Sequence, residues 1–137
     1  MIRRRTVLPV ALLTAFLVLT TGCALLGTPS VEDGGYTNID VDQLATMLED
    51  EDLVVVNVHV PYEGEIPQTD LFIPFDEIAE HTDKLPGKDE PVVLYCRSGS
   101  MSTTAAETLV SLGYTDVYEV DGGMRAWRRA GYELLER

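Results

Sequence analysis

One of the two cysteines of this chain, Cys96, lies where the residue types change abruptly. The four residues before it, 92–95, form a short apolar run of the kind found in buried strands. From Cys96 to Ser102 the residues are polar or small apart from Met101, and then apolar residues recur at helical spacing. Cys96 is therefore predicted at the junction of a strand and a helix. Unpaired backbone N–H groups and the helix dipole at such a junction favour an ionised sulfur.

The neighbours of Cys96 suit a reactive thiol better than a packing residue. Arg97 adds a fixed positive charge next to the sulfur, and Gly99 permits a close backbone approach that a side chain would block. A buried and inert thiol is the alternative interpretation, because free cysteine is often buried. The polar loop of small residues argues against plain core packing, so we predict that Cys96 is a nucleophile.

Three segments resemble the rhodanese family of sulfurtransferases. The loop from Cys96 to Ser102 (CRSGSMS) is similar to the family's active-site loop, and residues 121–127 (DGGMRAW) are similar to its glycine pair and tryptophan. Residues 54–59, followed by 64–67, are similar to its second strand and the loop after it. The resemblance covers roughly residues 36–137. It implies an α/β fold with a mostly parallel five-stranded sheet and helices on both faces.

The resemblance also implies roles for the residues of the loop. It makes Cys96 catalytic and predicts that substrate is bound by Arg97, Ser98, Gly99, Ser100, Met101, Ser102 and His59. Two places depart from the family's pattern: Met101 stands where many members have a second arginine, and Asn57-Val58-His59 stands where Asp-Val-Arg is common. Asn57 is predicted to be a structural hydrogen-bonding residue. His59 is either a wall or proton donor of the site or, as we favour, a surface histidine.

Sulfur transfer by covalent catalysis is the activity that the resemblance implies. Cys96 would take a sulfane sulfur from thiosulfate or a persulfide, carry it as a persulfide and pass it to a thiol acceptor, with no cofactor and no metal. Protein phosphatases of the cell-cycle type resemble the same fold, but they need an arginine at the position that Ser102 occupies. A third hypothesis is a membrane-tethered sulfur carrier, sensor or interaction module with little turnover, because Met101, Asn57 and His59 depart from the family.

Outside the loop, strand patterns alternate with helical ones, which is typical of a parallel α/β sheet. The predicted strands lie at residues 36–39, 53–58, 71–75, 92–95 and 116–120. The predicted helices open at a capping box of Asp40 and Gln43, at Asp76, at Ser102 and at Gly122-Gly123, the last carrying Met124 and Trp127 into the core. Ligands of such sheets bind beyond the carboxyl ends of the strands. His59 and Asp121 are therefore predicted near the same edge as Cys96.

The chain is acidic, with 23 Asp and Glu against 10 Lys and Arg and a formal net charge of −13 over 137 residues. This length suits one domain. Nucleic acid is not a predicted partner, because phosphate binding requires clustered Lys and Arg. Without residues 1–22, which hold three arginines and no acids, the formal charge is −16. Such a charge repels small anions at long range.

Residues 1–22 are predicted to be a signal peptide, because a positive start is followed by an apolar stretch and small residues. The stretch is too short for a comfortable membrane span. Its end resembles a bacterial lipobox, although Thr20 stands where leucine is preferred. We predict a lipid on Cys23, a flexible tether at 23–35, a domain at 36–137, and a position on the extracytoplasmic side of a bacterial cell membrane. An uncleaved anchor and an ordinary signal peptide are the alternatives. No disulfide is predicted between Cys23 and Cys96.

Overall fold

The computed structural model of the protein describes residues 29–31, 34–50 and 52–136. The predicted signal peptide, the predicted lipidation site Cys23 and most of the predicted tether lie outside these residues. The elements in chain order are β1 (Ser30–Val31), β2 (Thr37–Ile39), α1 (Val41–Asp50), β3 (Val54–Asn57), β4 (Leu71–Phe72), a 3-10 helix (Ile78–Lys84), β5 (Val92–Tyr95), α2 (Ser100–Ser111), β6 (Val117–Val120) and α3 (Gly123–Arg129). Within the described ranges, no helix has the length and apolar character that crossing a membrane requires.

The strands form one sheet in the order β1-β2-β6-β5-β3-β4. All neighbouring pairs are parallel except β1 with β2. The predicted five parallel strands are thus confirmed. A sixth, two-residue strand joins the edge antiparallel, and it comes from the segment that the sequence suggested was a flexible tether. β5, which leads to Cys96, lies between β3 and β6.

Each face of the sheet is covered by helices over its own apolar cluster. On β5 the side chains alternate: Val92 and Leu94 face α2 and the 3-10 helix, whereas Val93 and Tyr95 face α1 and α3. This alternation follows from the two-residue period of a strand, and burial on both faces explains the unbroken apolar run. Trp127 is confirmed as a core residue, buried with Met124 in the second cluster.

Helix boundaries bear out some of the capping predictions and correct others. The capping box at the start of α1 is present, since Asp40 Oδ1 accepts from the N–H of Gln43 at 2.8 Å and Gln43 Oε1 accepts from the N–H of Asp40 at 2.8 Å. The predicted helix from Asp76 is instead a kinked 3-10 helix capped by Glu77. Within it only Ile78 is buried, so one apolar anchor holds the segment. The helix predicted to open at Ser102 begins two residues earlier, at Ser100.

Candidate active site

Cys96 lies directly after β5 and carries a free thiol. Its side chain is only 1% exposed. The backbone N–H of Gly99 donates to Sγ at 3.1 Å, and the hydroxyl of Ser102 lies 3.4 Å from Sγ. The predicted junction of strand and helix is therefore observed, and the sulfur sits inside the turn that joins them.

The turn depends on Gly99, the N-cap of α2. Its φ of 104° is left-handed, a conformation that glycine adopts at little cost. The first helical hydrogen bond of α2 runs from the N–H of Thr103 to the carbonyl of Gly99 at 2.9 Å. The N–H groups of the three residues between them precede this bond and have no acceptor within the helix. They give the loop the donor-rich character that suits a sulfur anion.

A second glycine fixes the loop from the side of α3. The carbonyl of Cys96 accepts from the N–H of Met124 at 2.9 Å, and the carbonyl of Arg97 accepts from the N–H of Arg125 at 3.0 Å. A Cβ on Gly123 would lie 2.2 Å from the carbonyl oxygen of Cys96, so no side chain fits there. The glycine pair of the sequence thus lets the backbone of α3 approach and hold the loop.

Behind the sulfur, Ser102 reaches a buried carboxyl group. Its hydroxyl donates to Glu119 Oε1 at 2.5 Å, and Glu119 is 3% exposed. Burial raises the pKa of Glu119 to about 7; the hydrogen bond from Ser102 opposes this rise, and the negative charge of Asp121 adds to it. Glu119 was not among the predicted site residues. Its signal in the sequence is a carboxylate on a face of a strand that is otherwise apolar.

His59 is buried, with 4% exposure, so the surface interpretation favoured from the sequence is wrong. Its backbone N–H donates to Asn57 Oδ1 at 3.0 Å, and Asn57 Nδ2 donates to the carbonyl of Gly64 at 3.0 Å. Asn57 is therefore the structural residue that was predicted. His59 Nε2 lies 3.3 Å from Glu63 Oε2, but in a direction that makes no hydrogen bond, so this contact is an ion pair only when the ring is protonated.

Arg97 points to Glu63 and not to the sulfur. Its Nη1 lies 3.1 and 3.2 Å from the two carboxylate oxygens of Glu63. Both residues line a cavity of about 160 Å³ next to the loop, together with Arg125 and Arg128. The positive character of this cavity was not predicted, because two of its arginines lie on α3, far along the chain from Cys96.

The remaining predicted residues of the loop take different positions. Ser98 and Ser100 are exposed, and their hydroxyls make no hydrogen bond to Cys96 in the described part of the chain. Met101 is half-buried and packs against the apolar cluster under α2. Ser102, which the sequence suggested as a helix cap, instead contacts both Cys96 and Glu119. The loop thus contributes backbone groups and Ser102 to the sulfur.

The fold and the site define a cysteine-centred α/β domain, in which a thiol at the carboxyl end of a parallel strand is held by the start of the next helix. The chain belongs to the rhodanese-like family: the model of the rhodanese-like domain matches residues 40–130.

The chain is similar to named members of this family. A sulfurtransferase of Allochromatium vinosum is 38% identical over 101 residues, covering 71% of this chain and 92% of that protein. The thiosulfate sulfurtransferase GlpE of Pseudoalteromonas translucida is 34% identical, covering 74% of this chain and 98% of that protein. A rhodanese-like domain protein of Staphylococcus aureus has a similar structure, with a TM-score of 0.61 and 34% identity over 72% of this chain and 95% of that one.

Proposed function

We propose that the protein is a sulfurtransferase in which Cys96 carries the transferred sulfur. The observation that carries this proposal is the position of Sγ, 3.1 Å from the N–H of Gly99 and 3.4 Å from the hydroxyl of Ser102. Membership of the rhodanese-like family and the names of the similar proteins support it. The proposed donor is thiosulfate or a persulfide, and the proposed acceptor is a thiol.

The proposed reaction consists of two sulfur transfers. In the first, the Cys96 thiolate attacks the sulfane sulfur of the donor; an Sγ–S bond forms, and the rest of the donor leaves with the electron pair of the broken bond, as sulfite or as a thiolate. In the second, the acceptor sulfur attacks the outer sulfur of the Cys96 persulfide, and Cys96 leaves as a thiolate. The charge stays on sulfur throughout, where the N–H of Gly99 can stabilise it.

Mass spectrometry of the full chain incubated with thiosulfate or glutathione persulfide tests this proposal. We expect a mass increase of one sulfur atom on Cys96 and repeated turnover once a thiol acceptor is added. Cys96→Ser should give neither result while its circular dichroism remains that of the wild type, because a hydroxyl is far harder to ionise than a thiol. Wild-type activity in Cys96→Ser would exclude the covalent mechanism.

A membrane-tethered sulfur carrier or sensor with little turnover is the second candidate. Two observations favour it: Cys96 is almost fully buried, and the charge of Arg97 is engaged by Glu63. The same mass spectrometry separates the two candidates. A persulfide that forms on Cys96 but is not passed on when thiols are added repeatedly would identify a carrier or sensor.

We further propose that Cys23 is lipidated and holds the domain on the extracytoplasmic side of a bacterial membrane. The support is the sequence of residues 1–23, which resembles a lipoprotein signal. The wild type should fractionate with membranes and incorporate labelled fatty acid, whereas Cys23→Ala should do neither. A Cys23–Cys96 disulfide in the native protein would contradict this proposal.

A further inference from the structure

Glu119 occupies a position in the fold where a carboxylate is unexpected. It faces α2 from β6, on the same side of the strand as Val117, which belongs to the apolar cluster there. In the described part of the chain, no Lys or Arg lies within ion-pair distance of its carboxylate. A buried carboxylate without a cation is costly in its ionised form. The cost is lowered if the group holds a proton, and the thiol of Cys96 lies on the other side of the Ser102 hydroxyl that contacts Glu119.

Ser102 connects the two groups. Its Oγ lies 2.5 Å from Glu119 Oε1, 3.4 Å from Cys96 Sγ and 3.0 Å from the carbonyl oxygen of Gly99. A serine hydroxyl donates one proton and accepts on two lone pairs. When Ser102 donates to an ionised Glu119, its lone pairs are open to the S–H of Cys96. When Glu119 is protonated and donates to Ser102, the hydroxyl can turn and donate to the sulfur.

We propose that Cys96, Ser102 and Glu119 share one proton, so that Glu119 holds it while Cys96 is a thiolate. This inference rests on the proposed role of Cys96 as the nucleophile. Glu119 does not touch the reacting sulfur; it is a positioning residue that acts through Ser102.

Each proton transfer in this unit conserves charge. As the thiolate forms, the Sγ–H bond of Cys96 breaks and the sulfur keeps the electron pair. Its proton passes to Ser102 Oγ, while the hydroxyl proton of Ser102 passes to Glu119 Oε1. Cys96 then attacks the donor, and the reverse transfer restores the thiol once the sulfur has been handed on. The sulfur of Cys96 is almost closed to solvent. The transfer therefore provides an acceptor for its proton inside the protein.

The surroundings of Glu119 favour this exchange. Burial, the largest influence, already raises its pKa to about 7, so that the protonated form is accessible near neutral pH. Asn38 of β2 is paired with Glu119, Leu94 of β5 is paired with it on the other side, and neither side chain titrates. The buried positions of α2 are Ser102, Ala105, Ala106 and Leu109. In the described part of the chain, the exposed Asp121 is the charged group that acts on Glu119, and Cys96 is the titratable group that is connected to it through Ser102.

The sharing of a proton makes the two ionisations interdependent. The distances through Ser102 place Sγ and Oε1 no more than about 6 Å apart. At an effective dielectric constant of about 20, the repulsion of two unit charges at that distance separates the ionisation steps by roughly two pH units. The thiolate of the wild type should therefore form in two steps that belong to the pair. Glu119→Gln keeps the size of the side chain and an oxygen acceptor for Ser102, but it cannot take the proton.

The test follows the ultraviolet absorbance of the thiolate against pH in the full chain. The spectrum of Cys96→Ser is subtracted at each pH, so that the tyrosines and Cys23 cancel. We expect thiolate to form in two steps in the wild type and in one step in Glu119→Gln. The single step of the variant should be complete about two pH units below the upper step of the wild type. Between these pH values, iodoacetamide should alkylate Cys96 roughly twofold faster in Glu119→Gln, because the wild type holds Cys96 as a thiolate in only part of the molecules while the pair shares one proton.

Asp121→Asn is the matched control. It removes a neighbouring carboxylate that does not contact Ser102, so the two steps should remain, shifted only slightly. Superimposable titrations of the wild type and Glu119→Gln would overturn the proposal. Equal slowing of alkylation by Glu119→Gln at every pH would also overturn it, because that pattern indicates a structural role alone.

Infrared spectroscopy of the wild type gives an independent answer if Glu119→Gln does not fold. The carbonyl band of a protonated carboxyl group should be present at the pH where the first step has formed thiolate, and it should disappear through the second step. Absence of this band after the first step would overturn the proposal. None of these measurements uses a sulfur donor. Their failure is therefore distinct from a failure of sulfur transfer, which Cys96→Ser tests separately.

Discussion

Glu63 reduces the positive charge beside the loop that holds Cys96. Its two carboxylate oxygens contact Arg97, and one of them also lies 3.3 Å from His59 Nε2. Arg97 is the cation that the sequence suggested for binding an anionic donor, and Glu63 offsets its charge. An anion that approaches Cys96 therefore meets a carboxylate beside the arginine.

Replacement of Glu63 tests this effect at the scale of one residue. Glu63→Gln should raise kcat/KM for thiosulfate by about 3- to 10-fold, because Arg97 is freed and a like charge is removed, each a half-exposed interaction of about 1 kcal/mol or less. A donor of lower charge, such as the persulfide of a neutral thiol, should gain less. Glu77→Gln is the control, since Glu77 is exposed and contacts His81 away from the site. An equal gain in kcat/KM in Glu63→Gln and Glu77→Gln would show that the net charge of the protein, and not the contact with Arg97, causes the effect.

The ionisation of Glu119 should also make the free energy of unfolding depend on pH. Its pKa is raised from 4.5 to about 7, so the folded chain binds a proton more tightly than the unfolded chain. The resulting stabilisation is fully present below about pH 4.5 and is lost as the pH rises through about 7, a decline of at most about 3 kcal/mol.

Glu119→Gln should remove this decline. Chemical unfolding at about pH 5 and about pH 8 measures it, and the variant should gain stability relative to the wild type at the higher pH. The same pH dependence in both proteins would show that Glu119 ionises in the folded chain as it does in the unfolded chain.

Among the elements, α3 holds the loop after Cys96 through its backbone. Two of its N–H groups donate to the carbonyls of Cys96 and Arg97, and this approach requires the absence of a side chain at Gly123. The loop is thus fixed between the start of α2, which faces the sulfur, and the start of α3, which holds its carbonyls.

A pair of glycine substitutions tests the role of α3. Gly123→Ala should lower the free energy of unfolding by about 3 kcal/mol or more and impair sulfur transfer, because a left-handed backbone and a clash with the loop act together. Gly131→Ala is the matched control: it has a positive φ of 94° but nothing within 4 Å of the added Cβ, so only about 1–2 kcal/mol should be lost and activity kept. If Gly123→Ala and Gly131→Ala changed the activity to a similar degree, the contact between α3 and the loop would not be what supports activity.

At the scale of the whole molecule, charge is distributed unevenly. The chain carries a formal net charge of −13. The Lys and Arg residues of the described ranges are Lys84, Lys88, Arg97, Arg125, Arg128 and Arg129. Half of them line the cavity beside the loop. An acidic molecule thus presents a local positive region next to Cys96. The net negative charge repels anions at long range, whereas the arginines of the cavity attract them only nearby.

Salt should separate the long-range effect from the local one. For thiosulfate, kcat/KM should rise between about 0.1 M and 1 M salt, because the screening length falls from about 10 Å to about 3 Å and the repulsion of the acidic surface is lost. Arg125→Ala should lower kcat/KM for thiosulfate at both salt concentrations, by roughly tenfold. Lys84→Ala changes the net charge equally but lies on the 3-10 helix, and it should act only at low salt. Identical behaviour of the two variants would refute a local role for the cavity.

Local patterns in the sequence determined the parts of the protein that depend on near neighbours. The run before Cys96, the small polar loop and the helical spacing after it predict the junction that holds the sulfur. Alternating strand and helix patterns predict the parallel sheet, and Asn57 and Trp127 were assigned correctly. The 3-10 helix after Asp76 escaped prediction because its one buried residue gives no periodic signal.

Tertiary structure alone decided which charged and titratable groups from distant parts of the chain lie near the loop. Glu119 and Cys96 lie 23 positions apart, and they meet because β6 pairs with β5 and α2 packs over both. Glu63 reaches Arg97 because β3 pairs with β5 on the other side, and the same pairing buries His59. A charge or a proton acts over a few ångströms of space, whatever the separation along the chain. The sequence therefore predicts that Cys96 is the nucleophile, whereas the order of the strands selects the distant groups that lie near it.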